Sequence, residues 1–312
     1  MSSFLVNLSN RRLISMRGEQ RDEYLHGQIT VDTKNFTPNK ARLSAHCDFK
    51  GKMWAAFLLT QFDNAFHMLM PAASAQESLA QLKKYGVFSK VVIEDESENW
   101  HILGGSGDAV KNALITLFPD ISDEHLSVSS NAFGQVISFN DASIRYQLSL
   151  TSEGYARLCE VYEADISDDS TAFVWQEIEA GIGYLEQATI GEFVPQMFNL
   201  HALNAIDFDK GCYMGQEVVA RTKFLGKNKR ALYILSANEA IGVESIKAGA
   251  MLEKAIGENW RRGGIVVRSC VFNQQTKILA VLANDTAVGD VLRLKSTQER
   301  LEVLPLPYPL DN

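Results

Sequence analysis

The chain has 312 residues, 46% hydrophobic and 22% charged, with 21 Gly and 7 Pro, a balance that excludes disordered, collagen-like and coiled-coil chains; the length exceeds what one core usually carries and predicts two or three domains. Thirty Lys and Arg stand against 38 Asp and Glu, a formal charge of −8, which argues against general binding to a polyanion and leaves room for a local basic patch. The longest apolar stretches, Met53 to Leu59 and Ile278 to Ala283, fall far short of the roughly 20 residues of a membrane-spanning helix.

At the start of the chain the first basic pair, Arg11-Arg12, follows the apolar Phe4 to Val6, the reverse of the order in a signal peptide. Residues 20–31 begin charged and helix-prone, with Gly27 as a stop. From Ala41 the period changes to that of strands. Ala41 to Cys47, a turn at Asp48 to Gly51, Lys52 to Thr60, a second turn at Asp63-Asn64 and Ala65 to Met70 predict a three-stranded meander. Ser74 with Glu77 has the spacing of a capping box, and Leu79, Leu82 and Tyr85 continue at helical spacing, so 74–85 is predicted as an amphipathic helix.

Strands are expected near Val91 to Glu94 and Trp100 to Leu103, then a turn at Gly104 to Gly107 and a helix over Asp108 to Phe118. The glycine turn lacks the third glycine of a dinucleotide fingerprint and the lysine of a phosphate loop, so it reads as an ordinary strand-to-helix turn. Gln135 to Phe139 and Ser143 to Leu150 read as strands, and the acidic stretch Glu160 to Asp169 as a solvated connection. Thr171 to Ala180 reads as a helix stopped by Gly181. Periodicity fades over 182–230. Beyond Ala231, short apolar runs alternating with turn residues predict a small all-β domain, with a boundary near 229–231. The class is therefore α+β.

Four cysteines, at 47, 159, 212 and 270, have no cluster or zinc spacing, which predicts reduced thiols in a cytoplasmic protein and no metal site. Six scattered histidines form no His-x-x-x-His pair, and no Gly-x-Ser-x-Gly is present, which removes the zinc and serine hydrolase readings. The segment Asp207 to Arg230 differs in kind. Gly211 and Gly215 flank Cys212-Tyr213-Met214, and Lys210, Arg221 and Lys223 are candidates to favour the thiolate. Cys212 therefore has two readings, a reactive thiol or a small buried apolar residue. Arg221, Lys223, Lys227, Lys229 and Arg230 make a basic run without an acid after Val218. It is either a solvated face or a site for a polyanion such as a folate glutamate tail or an RNA backbone, and Phe224 within it either stacks on a ring or packs.

Lys210-Gly-Cys-Tyr-Met-Gly-Gln-Glu217 resembles the Lys-Gly-Cys-Tyr/Phe-x-Gly-Gln-Glu signature of the YgfZ family of folate-binding proteins, relatives of the glycine-cleavage aminomethyltransferase. Further blocks agree in order: Gly27-Gln28 with Asp32, Ala45-His-Cys-Asp48, Lys50-Gly-Lys-Met-Trp54, Lys83-Lys-Tyr-x-Val-Phe-Ser-Lys90, Ile178-Glu-Ala-Gly181, Glu258-Asn-Trp-Arg-Arg262 and Pro305-Leu-Pro-Tyr308. The resemblance implies three domains around a central hole. A first α+β domain would take 1–40 and 125–229, a ferredoxin-like α+β domain 41–124, and a small C-terminal β-barrel 230–312, with antiparallel sheets and helices in the first two.

It also implies binding of tetrahydrofolate or a related folate. The implied role is synthesis or repair of iron–sulfur enzymes, with a tRNA methylthiotransferase as a client, and with it tRNA modification. A link to regulation of replication initiation follows from the same family. A catalytic reaction is not implied, and direct tRNA contact is left open.

Close relatives in the family carry folate-facing tryptophans where this chain has Arg11 and Phe173, so these two are the expected folate residues, Phe173 by stacking and Arg11 by its charge. Trp175 reads as core. Where the aminomethyltransferases have an acidic pair, this chain has Ala55 and Ala56, and alanine transfers no proton. Cys212 is then the residue expected to do the chemistry, with Lys210 and Arg221 giving charge support to it or to the folate tail, and Gln216 and Glu217 holding the loop backbone. The alternative is a folate-dependent one-carbon transferase on an unknown acceptor.

Overall fold

The structure, a computed structural model, describes residues 3–310 other than 225 and 227; Lys227 of the expected basic run thus lies outside the described residues. Three antiparallel β systems organise it. The first sheet has the order Phe4–Asn7, His101–Ser106, Ile144–Leu150, Gly134–Asn140, Ser127–Asn131. The second has the order Arg42–Cys47, Met53–Phe62, Ala65–Pro71, Arg11–Arg17, Val92–Asp95. The third is a closed barrel of Arg230–Ala237, Gln275–Ala283, Asn259–Phe272, Met251–Ile256, Val291–Leu294 and Arg300–Leu304.

The meander expected over 41–70 is present, and its tight turn at Asp63-Asn64 has φ of 43° and 58°, the left-handed pair that matches strand twist in a two-residue hairpin. Asn273-Gln274 repeats the device in the barrel, with φ of 50° and 62°. The sheets do not divide where the expected domain limits do. Arg11–Arg17, expected with the first domain, pairs with Ala65–Pro71 in the second sheet, and His101–Ser106, expected with the second, lies inside the first sheet. Leu13, Ile14 and Met16 are buried on both faces of their strand, so this segment fits an interior position of a covered sheet.

Among the described residues six α-helices accompany the sheets: α1 (Arg21–His26), α2 (Ala72–Tyr85), α3 (Asp108–Leu117), α4 (Ser152–Val161), α5 (Thr171–Glu179) and α6 (Gln216–Phe224). Helix α2 starts earlier than its sequence spacing suggests. Pro71, the last residue of the preceding strand, is its N-cap; Ser74 Oγ donates back to the Pro71 carbonyl, and Glu77 accepts from Gln81 instead of closing a capping box. Helix α4, capped by the Thr151 hydroxyl accepting from the Gly154 amide, was not expected; it ends at Val161, and the predicted acidic connection begins in its last two residues. The helix was hidden because only Gly154 and Leu158 of its ten residues are buried, too narrow a face to set a helical period.

The expected turn at Gly104 to Gly107 is mostly strand, which runs through Ser106 before Gly107 turns at φ 95°. Gly104 is needed for packing: a Cβ there would lie 2.6 Å from the ring of Phe173. Helix α5 is buried on most sides between the first sheet and the barrel. Its Glu177 accepts from Arg11 Nη2 on both carboxylate oxygens, at 2.7 and 2.8 Å, and from Arg268 Nη2 on Oε2 at 2.7 Å, so one buried carboxylate joins the second sheet, α5 and the barrel. Burial pushes the Glu177 carboxyl up, but Arg11 and Arg268 hold it below its usual value. Arg11 also lies over the Tyr184 ring at 4.1 Å.

Candidate functional site

The Cys212 loop is built against the end of α1. Segment 205–210 is first sewn to 30–42: the Asp207 amide donates to the Thr30 carbonyl, the Thr30 hydroxyl to the Ala205 carbonyl at 2.7 Å, and Arg42 makes two 2.8 Å bonds to the Asp207 carboxylate. Lys210 then turns inward. Its ammonium donates to the carbonyls of His26, Ile29 and Val31 at 2.6, 2.7 and 2.9 Å, one acceptor for each proton. His26 is the last residue of α1, where carbonyls lack helical partners and a cation is favoured. Burial pulls Lys210 down to about 8, against the opposing charges of Asp32 and Asp207.

With its neighbour pinned, the chain passes Gly211 beside the His26 ring and exposes Cys212. Tyr213 returns to the interior, its ring 4.9 Å from the Lys210 ammonium and its phenol pushed up by burial. The Met214 amide donates to the Gly27 carbonyl. Gly215, at φ 81°, lies on the Asp48–Gly51 turn, where a Cβ would meet the Asp48 carbonyl. Helix α6 follows, held inward by Val219. Cys212 is thus displayed by the residues around it, and the buried-apolar reading does not hold.

The neighbours' expected roles change accordingly. Lys210 is spent on carbonyls, and Arg221 pairs with Glu217 across one turn of α6 at 2.7 Å, both well exposed. Among the described residues neither bonds the thiol, and Glu217 is paired with Arg221 and not with the loop backbone. Lys223 leaves the run too, lying 3.7 Å over the Phe208 ring. Lys229 and Arg230 are exposed at the entry to the barrel, so the described part of the basic run is split among three surroundings. Phe224 is 69% exposed.

The two expected folate residues are interior. Phe173 has no exposed surface and packs on Gly104, while Arg11, 3% exposed, is committed to Glu177. Ala55 and Ala56 are buried, one on each face of the second sheet. An open crevice of about 640 Å³ instead lies beside the loop, lined by Asp32, Phe36, Arg42, Phe208, Lys210 and Lys223 among others. A second of about 400 Å³ continues toward the barrel at Tyr233 and Asn284, and the two meet at His201, Phe208 and Lys223. Sequence spacing did not point to Phe36, Arg42 or Phe208, because they come together only through the sewing of 205–210 onto 30–42. Cys47 and Cys270 are buried, with thiols pushed up by burial, and Cys159 is exposed on α4. Among the described residues no group of three or more His, Cys, Asp or Glu could hold a metal ion, and no helix is long and apolar enough to cross a membrane.

Residues 228–297 match the family model described as the YgfZ β-barrel domain. Over 309 residues, 98% of this chain and 92% of the relative, the sequence is 37% identical to the tRNA-modifying protein YgfZ of Yersinia pestis strain Pestoides F, and equally to that of strain Angola. The chain belongs to the YgfZ family. Its fold is that of the aminomethyltransferases: the crystal structure of the glycine cleavage system aminomethyltransferase T from Bartonella henselae superposes with a TM-score of 0.74 at 15% identity, covering 98% of this chain and 86% of that one. The YgfZ motif Lys210 to Glu217 is therefore a loop clamp followed by a helix start, with the Cys212 thiol exposed between them.

Proposed function

We propose that this YgfZ-family chain is a folate-binding accessory protein of tRNA modification, which presents Cys212 to an iron–sulfur client enzyme such as a tRNA methylthiotransferase. The observation that carries the reading is the exposed thiol on a loop whose flanking Lys210, Tyr213 and Gly215 are all used to hold it. The relatives' name supports the process, and the aminomethyltransferase-like fold supports a folate. A one-carbon transferase gains nothing from Ala55 and Ala56, which offer no proton-transfer group.

Arg11 and Phe173 do not fit a folate, being closed off by Glu177 and Gly104. The crevice beside the loop does fit: Phe208 and Phe36 offer ring faces, Lys223 a cation for a carboxylate, and Asp32 an acceptor. Bound there, a reduced folate would supply or accept a one-carbon unit, while the protein's own groups hold it at the Lys210 end of the loop.

Cells lacking this protein, complemented with wild type or Cys212→Ser, test the thiol. Methylthiolated nucleosides in total tRNA are expected to fall to the uncomplemented level with Cys212→Ser, and an unchanged content overturns the thiol role. Calorimetric titration with tetrahydrofolate and its 5-formyl form tests the crevice: Phe208→Ala is expected to weaken binding at least tenfold. No heat from wild type near about 1 mM ligand would remove folate from the proposal.

A further inference from the structure

Beyond Cys212, the second sheet and its helix α2 also carry large apolar side chains in water. Phe88 is 99% exposed, Phe49 72%, Val87 70% and Tyr85 41%. Tyr85 closes α2, Val87 and Phe88 follow it directly, and Phe49 is on the turn between Arg42–Cys47 and Met53–Phe62. Tyr85, the last residue of α2, stacks on Trp54 at 6.5 Å, and Trp54 is the second residue of the strand that leaves the turn carrying Phe49. That turn touches Gly215 and Val218, and Gly86 touches Tyr24 of α1, the helix whose His26 lies against Gly211. A large ring left in water forgoes its burial, and a cluster of them marks a binding face.

The charge of this face is opposite to that of the whole chain. Residues 49–54 and 83–90 contain five lysines and no acid, in a protein of net −8. Lys50 lies 5.4 Å over the Phe49 ring and Lys84 5.3 Å over the Tyr85 ring, and neither has an ion-pair partner among the described residues. Two nearby carboxylates are committed: Asp48 accepts from the Lys50 and Lys52 amides, and Glu19 pairs with Lys90. Rings with ammonium groups beside them offer stacking faces for bases and charge for phosphates in one place.

We propose that this face docks unpaired RNA nucleotides, with Phe88, Tyr85 and Phe49 as stacking faces and Lys50 and Lys84 on the backbone. The inference rests on the proposed role in tRNA modification and gives it a direct contact, placed on the lysine–ring face and not on the basic run after Val218. Stacking selects single strands and loops, because bases in a duplex are already stacked. Net negative charge elsewhere confines the contact to this face.

Fluorescence anisotropy of the full-length protein, without folate or client, tests it with bulk tRNA, a single-stranded oligoribonucleotide and the matching duplex. The strand and the tRNA are expected to bind more tightly than the duplex. Phe88→Ala, a change at a side chain that supports nothing in the fold, is expected to weaken strand binding about 5- to 100-fold. Lys50→Gln with Lys84→Gln is expected to reduce the slope of log affinity against log salt by about 1.4, and Lys295→Gln, exposed on the barrel, to leave both unchanged. Duplex bound as well as strand, no effect of Phe88→Ala, or no binding at about 100 µM protein each overturns the inference and leaves the face to a protein partner. Failure here leaves the Cys212 complementation result standing, and loss of folate binding leaves RNA affinity standing, so the two readings fail separately.

Discussion

Lys210 and Arg11 are both cations taken out of water, and they are satisfied by different partners. Lys210 gives its three protons to neutral carbonyls at the end of α1, while Arg11 shares the carboxylate of Glu177 with Arg268 from the barrel. The first arrangement is local: it shapes one loop and leaves the next residue but one, Cys212, in the open. The second is global, since a single carboxylate joins three parts of the molecule. A motif lysine beside a cysteine is therefore a device for displaying the thiol, whereas the arginine at an expected ligand position serves assembly.

Removing the anion should have the largest effect. Glu177→Gln leaves two buried guanidiniums without a counter-charge and is expected to cost about 3–5 kcal/mol, read as a lowered midpoint in urea. If the loss is under about 1 kcal/mol, the junction is not what joins the three parts. Lys210→Met should cost less, about 2–3 kcal/mol, because its carbonyls regain water in part. Its signature is local, with faster hydrogen exchange at the Met214 amide, which bonds Gly27, and no matching change at the barrel.

Acid should act on the loop-bearing sheet before the junction. His46 and His67 are buried there and held neutral by desolvation, with values lowered to about 3 and about 4. Their unfolded value is about 6.5, so between that and the folded values the unfolded chain binds more protons. Stability is full above about pH 6.5 and falls as pH drops through the window, by about 2 kcal/mol per histidine from pH 7 to 5. Denaturant midpoints of His67→Gln should be flatter with pH over that range than those of wild type. The smallest effect belongs to the exposed pair: Arg221→Gln should change stability by under about 0.5 kcal/mol and leave methylthiolation intact, whereas a loss of tRNA modification with no loss of stability would return Arg221 to the site.

Much of the fold was legible wherever one strong local signal agreed with the tertiary result. The Asp63-Asn64 turn, the alternating runs after Ala231 and the apolar face of α3 carry their structure in short windows. Helix α4 was not legible, because two buried residues do not make a period, and α6 was not, because Val219 alone faces inward. The exchange of Arg11–Arg17 and His101–Ser106 between sheets was invisible for another reason. Strand partners are chosen by matching faces across long separations, and an apolar run carries no label of its partner.

The candidate site divides the same way. Its motif, with glycines around Cys212 and a lysine before it, was plain in the sequence, and so was the resemblance to the YgfZ family. What Lys210 bonds to, which rings line the crevice and which stay in water depended on contacts between residues more than a hundred positions apart, as between Lys210 and Ile29 or Arg42 and Asp207. By itself the sequence determined the α+β class, the barrel and the identity of the reactive candidate, because periodicity and turn chemistry act over a few residues. Only the tertiary structure decided that Cys212 is exposed and that Arg11 and Phe173 are interior, because burial is a property of the whole packed chain and not of any window within it.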